Sequence, residues 1–367
     1  MNKINYITFS SIPSPLASSL QIIKTCENLA KNNHEITLIK PATGLKKLSI
    51  KKYYGLKYKV NIKEFDGIDS FPQGFKFYLY SFYCLIYILK NKQSITITRN
   101  YFICYLLLLF GKKVILEIHH DTKYEGNVIK FILKFSNFFK KKNLLNIIAI
   151  SKSVKSFFIK KYNIQNKKIT VLPSGSSIRI SGKPTLCKNK RFKIGYFGSI
   201  SPSKGINLLI RLSKIDQGND YYIYGGSKEK INEIKKKNKN RNLFLKESVS
   251  YTKIPKLMLG MDILTLPYTK NIRAWGEVDD ITKYTSPLKL FDYLAVGKMI
   301  ISSDLKVLRE VIGTKNAYFI KNYENAFEWK KKIIMAKNNK RKIFIMSKNN
   351  FILSKKFDHS ERVKKYL

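Results

Sequence analysis

The sequence predicts an α/β protein built from two Rossmann-like domains. Three observations carry that prediction. The first forty residues read strand, helix, strand, with apolar runs at Asn5 to Phe9 and Glu35 to Ile39 around a helical stretch from Leu16 to Lys31. A second strand–turn–helix pattern begins far downstream, at Phe192 to Phe197 with Gly198 and Gly205 behind it. The chain has 367 residues, enough for two domains of ordinary size, each with its own core.

Along the first domain, Ser94 to Thr98 and Lys113 to Ile118 read as further strands. Phe77 to Leu89 and Tyr101 to Phe110 are the longest apolar stretches. Neither reaches the roughly 18 residues that a membrane span needs, so both are expected as core helices. No signal peptide is expected, because Tyr6-Ile7-Thr8-Phe9 is too short for an apolar leader and Pro13 follows it closely. Val128 to Lys141 is expected as one basic amphipathic helix, with Phe131, Phe135, Phe138 and Phe139 on one face and Lys130 and Lys134 on the other. Ser153 to Tyr162 repeats that theme. Residues 176–190 read as a linker, which puts the domains at 1–175 and 191–345 and leaves a helical segment at 346–367.

Polar residues at the carboxyl ends of strands are the first candidates for chemistry in such sheets. His119 and, second to it, His120 stand there after Lys113 to Ile118. A zinc site is not expected, since no third ligand is spaced nearby. Gly198, Ser199 and Gly205 form a turn between a strand and a helix start, where backbone N–H groups and the helix dipole favour an anion, and Lys204 adds a cation. Gly225 ends a later strand at another glycine turn. In Ser286-Pro287-Leu288-Lys289-Leu290-Phe291-Asp292-Tyr293, Ser286 suits an N-cap and Pro287 the first helical position. Lys289 and Asp292 then share a face near the helix start, and Gly297 suits its end. The two stretches together suit a diphosphate and a ribose.

The formal net charge of +46 is carried almost wholly by Lys. It fits compositional drift toward AT-rich codons combined with an anionic membrane surface as partner. Nucleic acid is not expected, because Arg is scarce and no nucleic-acid motif is present. The scattered Cys26, Cys84, Cys104 and Cys187 read as thiols in a reducing compartment.

The two stretches resemble the donor-binding signature of glycosyltransferase family 4, retaining enzymes of the GT-B fold within the group 1 transferases. Leu308-Arg309-Glu310-Val311, Ala149-Ile150-Ser151-Lys152-Ser153, Val171-Leu172-Pro173-Ser174-Gly175 and Met261 to Pro267 extend the resemblance. It implies a UDP- or GDP-sugar donor, no cofactor and no required metal, and a hydroxyl acceptor on an oligosaccharide or a lipid-linked glycan. It implies a cytoplasmic enzyme at the inner face of the plasma membrane, working on a bacterial surface polysaccharide. It assigns catalysis to His119, Lys204 and Lys289. The donor falls to Gly198, Ser199, Gly205, Gly225, Ser286, Pro287, Leu288, Leu290 and Asp292, with His120 and Arg273 in support. It also implies that the C-terminal helix returns to the first domain. Asp292 stands where many members have Glu, Tyr284 where they have a companion Glu, and Ser199 where many have Arg. Asp279-Asp280 lacks the spacing of a metal-binding Asp-x-Asp. A nucleotide-sugar epimerase and a basic RNA- or polyanion-binding protein are the alternative readings.

Overall fold

The computed structural model describes residues 2–367 except 43–46, 68–69, 92–93, 183, 185, 188–189 and 274–279, with the side chains of 47–49 and 73 also undescribed. Asp279 and part of the expected linker lie outside the described residues. The chain divides into two compact units, Met1–Ser174 with His359–Leu367, and Gly175–Asp358.

In the first unit, among the described residues, the strands are β1 (Lys3–Ile7), β2 (Glu35–Pro41), β3 (Asn61–Phe65), β4 (Ser94–Thr98), β5 (Lys113–Ile118), β6 (Leu144–Ala149) and β7 (Ile169–Val171). They form one parallel sheet in the order β3-β2-β1-β4-β5-β6-β7. The helices between them are α1 (Ala17–Lys31), α2 (Lys47–Tyr54), α3 (Gln73–Lys90), α4 (Tyr101–Leu109), α5 (Asn127–Phe135) and α6 (Lys152–Tyr162). The chain moves one way across the sheet from β1 to β3 and the other way from β3 to β7. Right-handed crossovers therefore put α1 and α2 on one face and α3 to α6 on the other.

The second unit contains β8 (Phe192–Phe197), α7 (Ile206–Ile215), β9 (Asn219–Gly226), α8 (Lys228–Lys237), β10 (Leu243–Glu247), α9 (Ile254–Leu259), β11 (Ile263–Leu266), α10 (Leu288–Ala295), β12 (Met299–Ser303), α11 (Lys306–Arg309), β13 (Ala317–Ile320), α12 (Ala326–Lys337) and α13 (Lys340–Ser354). Its sheet is also parallel, in the order β10-β9-β8-β11-β12-β13. The order reverses between β8 and β11, so the crevice past their carboxyl ends is where a ligand is expected. The last helix, α14 (His359–Val363), packs on α1 in the first unit. The α/β class and the doubled Rossmann-like architecture are those expected from the sequence.

Three boundaries differ from the expectation. β1 starts two residues early, at Lys3. The 346–367 segment does not return as a whole: α13 stays in the second unit, where Asn350 donates to the Lys298 carbonyl at 2.7 Å, and only 359–367 belongs to the first. The described start of the expected linker at 176–190 packs into the second unit. Ser176 and Ile178 are buried in the second unit, Ile178 in the cluster around Leu266 and Phe291.

The expected helix from 128 to 141 is broken. α5 ends at Phe135, Asn137 takes a left-handed conformation at φ +50°, and Phe138–Lys140 forms a 3-10 turn. The reason is packing. Phe138 and Phe139 turn inward against Tyr101, Phe158 and Tyr162, a direction that one straight helix through Phe131 and Phe135 does not serve.

Candidate functional site

The first glycine turn sits at the reversal point of the second sheet. β8 ends at Phe197, Pro202–Lys204 makes a 3-10 turn, and Gly205 opens α7 with φ +78°. A side chain at 205 would overlap the Pro267 carbonyl, so the turn packs directly on the end of β11. Gly198, at φ +151°, donates its N–H to the Tyr224 carbonyl at 2.9 Å, and a side chain there would run into the Lys289 ammonium. Gly225 lies against Gly198 in turn. A cavity of about 420 Å³ opens beside this turn, lined by residues that include Ser203, Gly205, Asn207, Arg211 and Arg273.

The second stretch starts later than its sequence suggests. α10 begins at Leu288, Pro287 holds the cap position with extended backbone, and no side chain caps the helix. Ser286 is therefore not the N-cap. The Leu290 N–H bonds the Pro287 carbonyl at 3.0 Å, while the N–H groups of the first turn before it have no acceptor within the helix. The far end closes as a Schellman motif: Gly297 N donates to Leu294 O at 2.9 Å and Lys298 N to Tyr293 O at 3.3 Å. Tyr293 ties the helix to β8 by accepting the Phe197 N–H at 2.9 Å.

Lys289 reaches from α10 to the first turn. Its ammonium donates to the Tyr196 hydroxyl at 2.7 Å, lies 4.1 Å from the Tyr196 ring centre and 5.2 Å from that of Tyr268. Tyr196 donates its own hydroxyl hydrogen to the Ser199 carbonyl at 2.9 Å. Lys204 lies over the Tyr268 ring at 5.7 Å and donates to the Arg273 carbonyl at 2.5 Å. Burial, and then the charge of Lys204, hold the Lys289 pKa well below the ordinary lysine value. Among the described residues Lys289 pairs with no carboxylate.

Two residues of the expected donor set face inward. Leu290 is fully buried in the core of the unit. Asp292 is buried too, and its Oδ1 accepts from Ser176 at 2.6 Å and Tyr251 at 2.9 Å. Burial pushes its pKa up to about 6 against those two hydrogen bonds. Lys289 and Asp292 thus share a face in sequence but take separate partners.

His119 and His120 belong to the first unit. His119 Nε2 is buried without a hydrogen-bond partner, 3.9 Å from Glu117 Oε2. Burial, then the neighbouring Arg99 charge, push its pKa down to about 4, so it is neutral at pH 7. His120 Nδ1 lies 2.7 Å from the Asp121 carbonyl. Glu117 is the hub of a buried network. Its Oε2 accepts from Tyr6 at 2.5 Å and Arg99 at 2.9 Å, and its Oε1 from Tyr366 at 2.6 Å and Arg362 at 2.7 Å. Burial would raise the Glu117 pKa, but Arg99 and Arg362 hold it well below the usual carboxylate range. Among the described residues no group of three or more His, Cys, Asp or Glu is placed to hold a metal ion.

Residues 179–351 match the family model of glycosyl transferases group 1. The protein is a glycosyltransferase with a group 1 domain. The match covers most of the second unit and ends inside α13. Solved structures share the fold over the whole glycosyltransferase. Anabaena HepE, in complex with UDP and glucose, superposes with a TM-score of 0.69 at 14% identity, over 100% of this chain and 98% of that one. A glycosyltransferase from Rickettsia africae gives 0.73 at 14% identity, over 99% and 96%. An S. aureus TarM mutant, in complex with fondaparinux, alpha-GlcNAc-glycerol and UDP, gives 0.72 at 13%, over 100% and 99%. No curated protein sequence matches the chain.

The sequence reading of the glycosyltransferase missed Tyr196 and Tyr268 around Lys289, Ser176 and Tyr251 on Asp292, and the Glu117 network. One signal was present. The first unit contains two arginines, Arg99 and Arg362, among many lysines, and both bind Glu117. Arg suits buried carboxylate pairs better than Lys does, so its rarity marks those positions.

Proposed function

We propose that this enzyme transfers a sugar from a nucleoside diphosphate donor, UDP or GDP, to a hydroxyl of an oligosaccharide or lipid-linked acceptor. In this reading it is a family 4 enzyme that acts with retention, needs no metal ion and works at the inner face of the plasma membrane. The observation that carries the reading is Lys289, a half-buried ammonium at the open start of α10, beside Lys204 and under a glycine turn. The complexes of HepE with UDP and of the TarM mutant with UDP make UDP the first donor to test.

The chemistry follows from charge. Breaking the anomeric bond leaves a diphosphate with growing negative charge. Lys289, Lys204 and the first N–H groups of α10 are fixed before the reaction, so they stabilise that charge without reorganising. Charge-assisted hydrogen bonds of this kind contribute about 1.5–3 kcal/mol each. A bound diphosphate also supplies the counter-charge that Lys289 lacks. Gly198 and Gly205 leave room for the phosphates to approach backbone. His119 is proposed to meet the sugar as a neutral hydrogen-bonding group, and Asp292 to set the ribose side through Ser176 and Tyr251. A thermal-shift series with UDP and GDP in EDTA tests the assignment. Stabilisation by one nucleotide, lost in Lys204→Ala and Lys289→Ala, is expected. Wild-type nucleotide binding in both variants would overturn it.

A further inference from the structure

The two faces of the first sheet are covered very differently. On one face α1 is buried along most of its length, and α14 packs on it. On the other face α4 packs between α3 and α5, and all three leave large apolar side chains in solvent. On α3 these are Phe75, Phe82 and Ile86, with Phe75 56% exposed. α4 ends in exposed Leu109 and Phe110. On α5 they are Val128, Phe131 and Phe135, with Phe131 65% exposed, while Phe138 just beyond is fully buried. Ordinary monomers scatter such residues singly. Here they recur on three neighbouring helices of one layer.

Charge decides the occupant. None of the three helices carries an acidic residue, and residues 71–145 hold twelve Lys and Arg against three Asp and Glu. A protein partner of mixed surface charge would leave the exposed lysines of this layer, Lys90, Lys130 and Lys134 among them, unmatched, whereas anionic headgroups would match them. Lys134 lies 4.9 Å from the Phe135 ring centre, with its ammonium beside the apolar face, the posture of a lysine at a membrane interface. Phe131 and Phe135 pair at 4.9 Å, so they present one apolar wedge. A chain of rings also leads inward from this layer. Phe82 neighbours Phe102 at 6.3 Å, Phe102 neighbours Phe77 at 6.4 Å, and Phe77 neighbours Phe9 at 5.7 Å, just past the carboxyl end of β1. No helix among the described residues is long and apolar enough to cross a bilayer.

We infer that the outer face of α3, α4 and α5 docks the enzyme on an anionic lipid bilayer, with the aromatic side chains in the headgroup boundary and the lysines on the headgroups. The ring path from Phe82 to Phe9 then lies between the bilayer and the carboxyl ends of the first sheet, suited to an acceptor with an apolar tail. The inference sharpens the membrane part of the reading above and is independent of its donor chemistry. The expected helix pair at 128–141 and 153–162 is replaced by a different surface: Phe138 and Phe158 are interior, and α3 and α4 join α5.

The test is sedimentation of the full chain with phosphatidylglycerol–phosphatidylcholine vesicles and with phosphatidylcholine alone, run beside the UDP thermal shift and size-exclusion light scattering. The wild type is expected to bind the anionic vesicles at least tenfold better than the neutral ones. Phe131→Ser with Phe135→Ser, and separately Phe75→Ser with Phe82→Ser, are expected to weaken that binding about tenfold while UDP stabilisation persists. Two results overturn the inference: both double variants bind the vesicles as the wild type does, or the wild type is a dimer that these substitutions convert to monomer. Lost vesicle binding with intact UDP response condemns nothing about the donor site. Lost UDP response with intact vesicle binding condemns the donor site alone.

Discussion

Each unit of the enzyme gathers cations past the carboxyl ends of its central strands, but the two clusters are balanced in opposite ways. Around Glu117 four donors from Tyr6, Arg99, Arg362 and Tyr366 converge on one carboxylate. Around Lys289 the ammonium finds a phenol and two aromatic rings, with Lys204 near by and no carboxylate among the described residues. A closed network with its counter-charge inside holds a fold together. A half-buried cation with no carboxylate partner is a place for an anionic ligand.

The largest expected effect breaks the closed cluster. Glu117→Ala strands Arg99 and Arg362 in the interior and is expected to cost about 3–5 kcal/mol of stability, read by chemical denaturation. If that variant unfolds at wild-type denaturant, the network is not the anchor of the first unit. Lys289→Ala is expected to do the reverse. Nucleotide affinity falls by about 1.5–3 kcal/mol, while apo stability is unchanged or rises because a partly desolvated charge without a carboxylate partner is gone. Titration calorimetry and melting on the same sample check both halves.

Protonation sharpens the contrast. Lys289 has a folded-state pKa below its unfolded value, so the unfolded chain holds the extra proton between the two. Apo stability from this residue therefore rises with pH across that window. Diphosphate binding favours the charged form, so affinity should fall as pH rises through the same window. Opposite slopes are the expected result, and Lys289→Met should flatten both. In the first unit His119, pushed down to about 4, contributes stability that is present above pH 6.5 and lost as pH falls toward 4. His119→Gln should reduce that acid sensitivity. The smallest effect belongs to Asp292. Its pKa, raised to about 6, contributes stability below about pH 4 that is lost as pH rises through 6, and Asp292→Asn should remove that slope.

Much of this was legible in the residues. Apolar runs placed β2, β4, β5 and β8 to within two residues, and the turns of Gly198 and Gly225 do meet, while Gly205 packs on the end of β11. Lys204 and Lys289 do approach one another. What was not legible depended on direction and tertiary contact. Helical spacing put Lys289 and Asp292 on one face, but one side chain reaches back to β8 and the other to Ser176. The periodicity of 128–141 ran on through Asn137, where a left-handed turn redirects Phe138 into the core. The Glu117 network joins residues up to 249 positions apart, a separation that no local pattern reports.

The most direct measurement is a crystal structure of the enzyme soaked with UDP-sugar in EDTA. The diphosphate is expected against the first turn of α10, within hydrogen-bond reach of Lys289. A well-ordered diphosphate lodged elsewhere, with Lys289 still on Tyr196, would contradict the account.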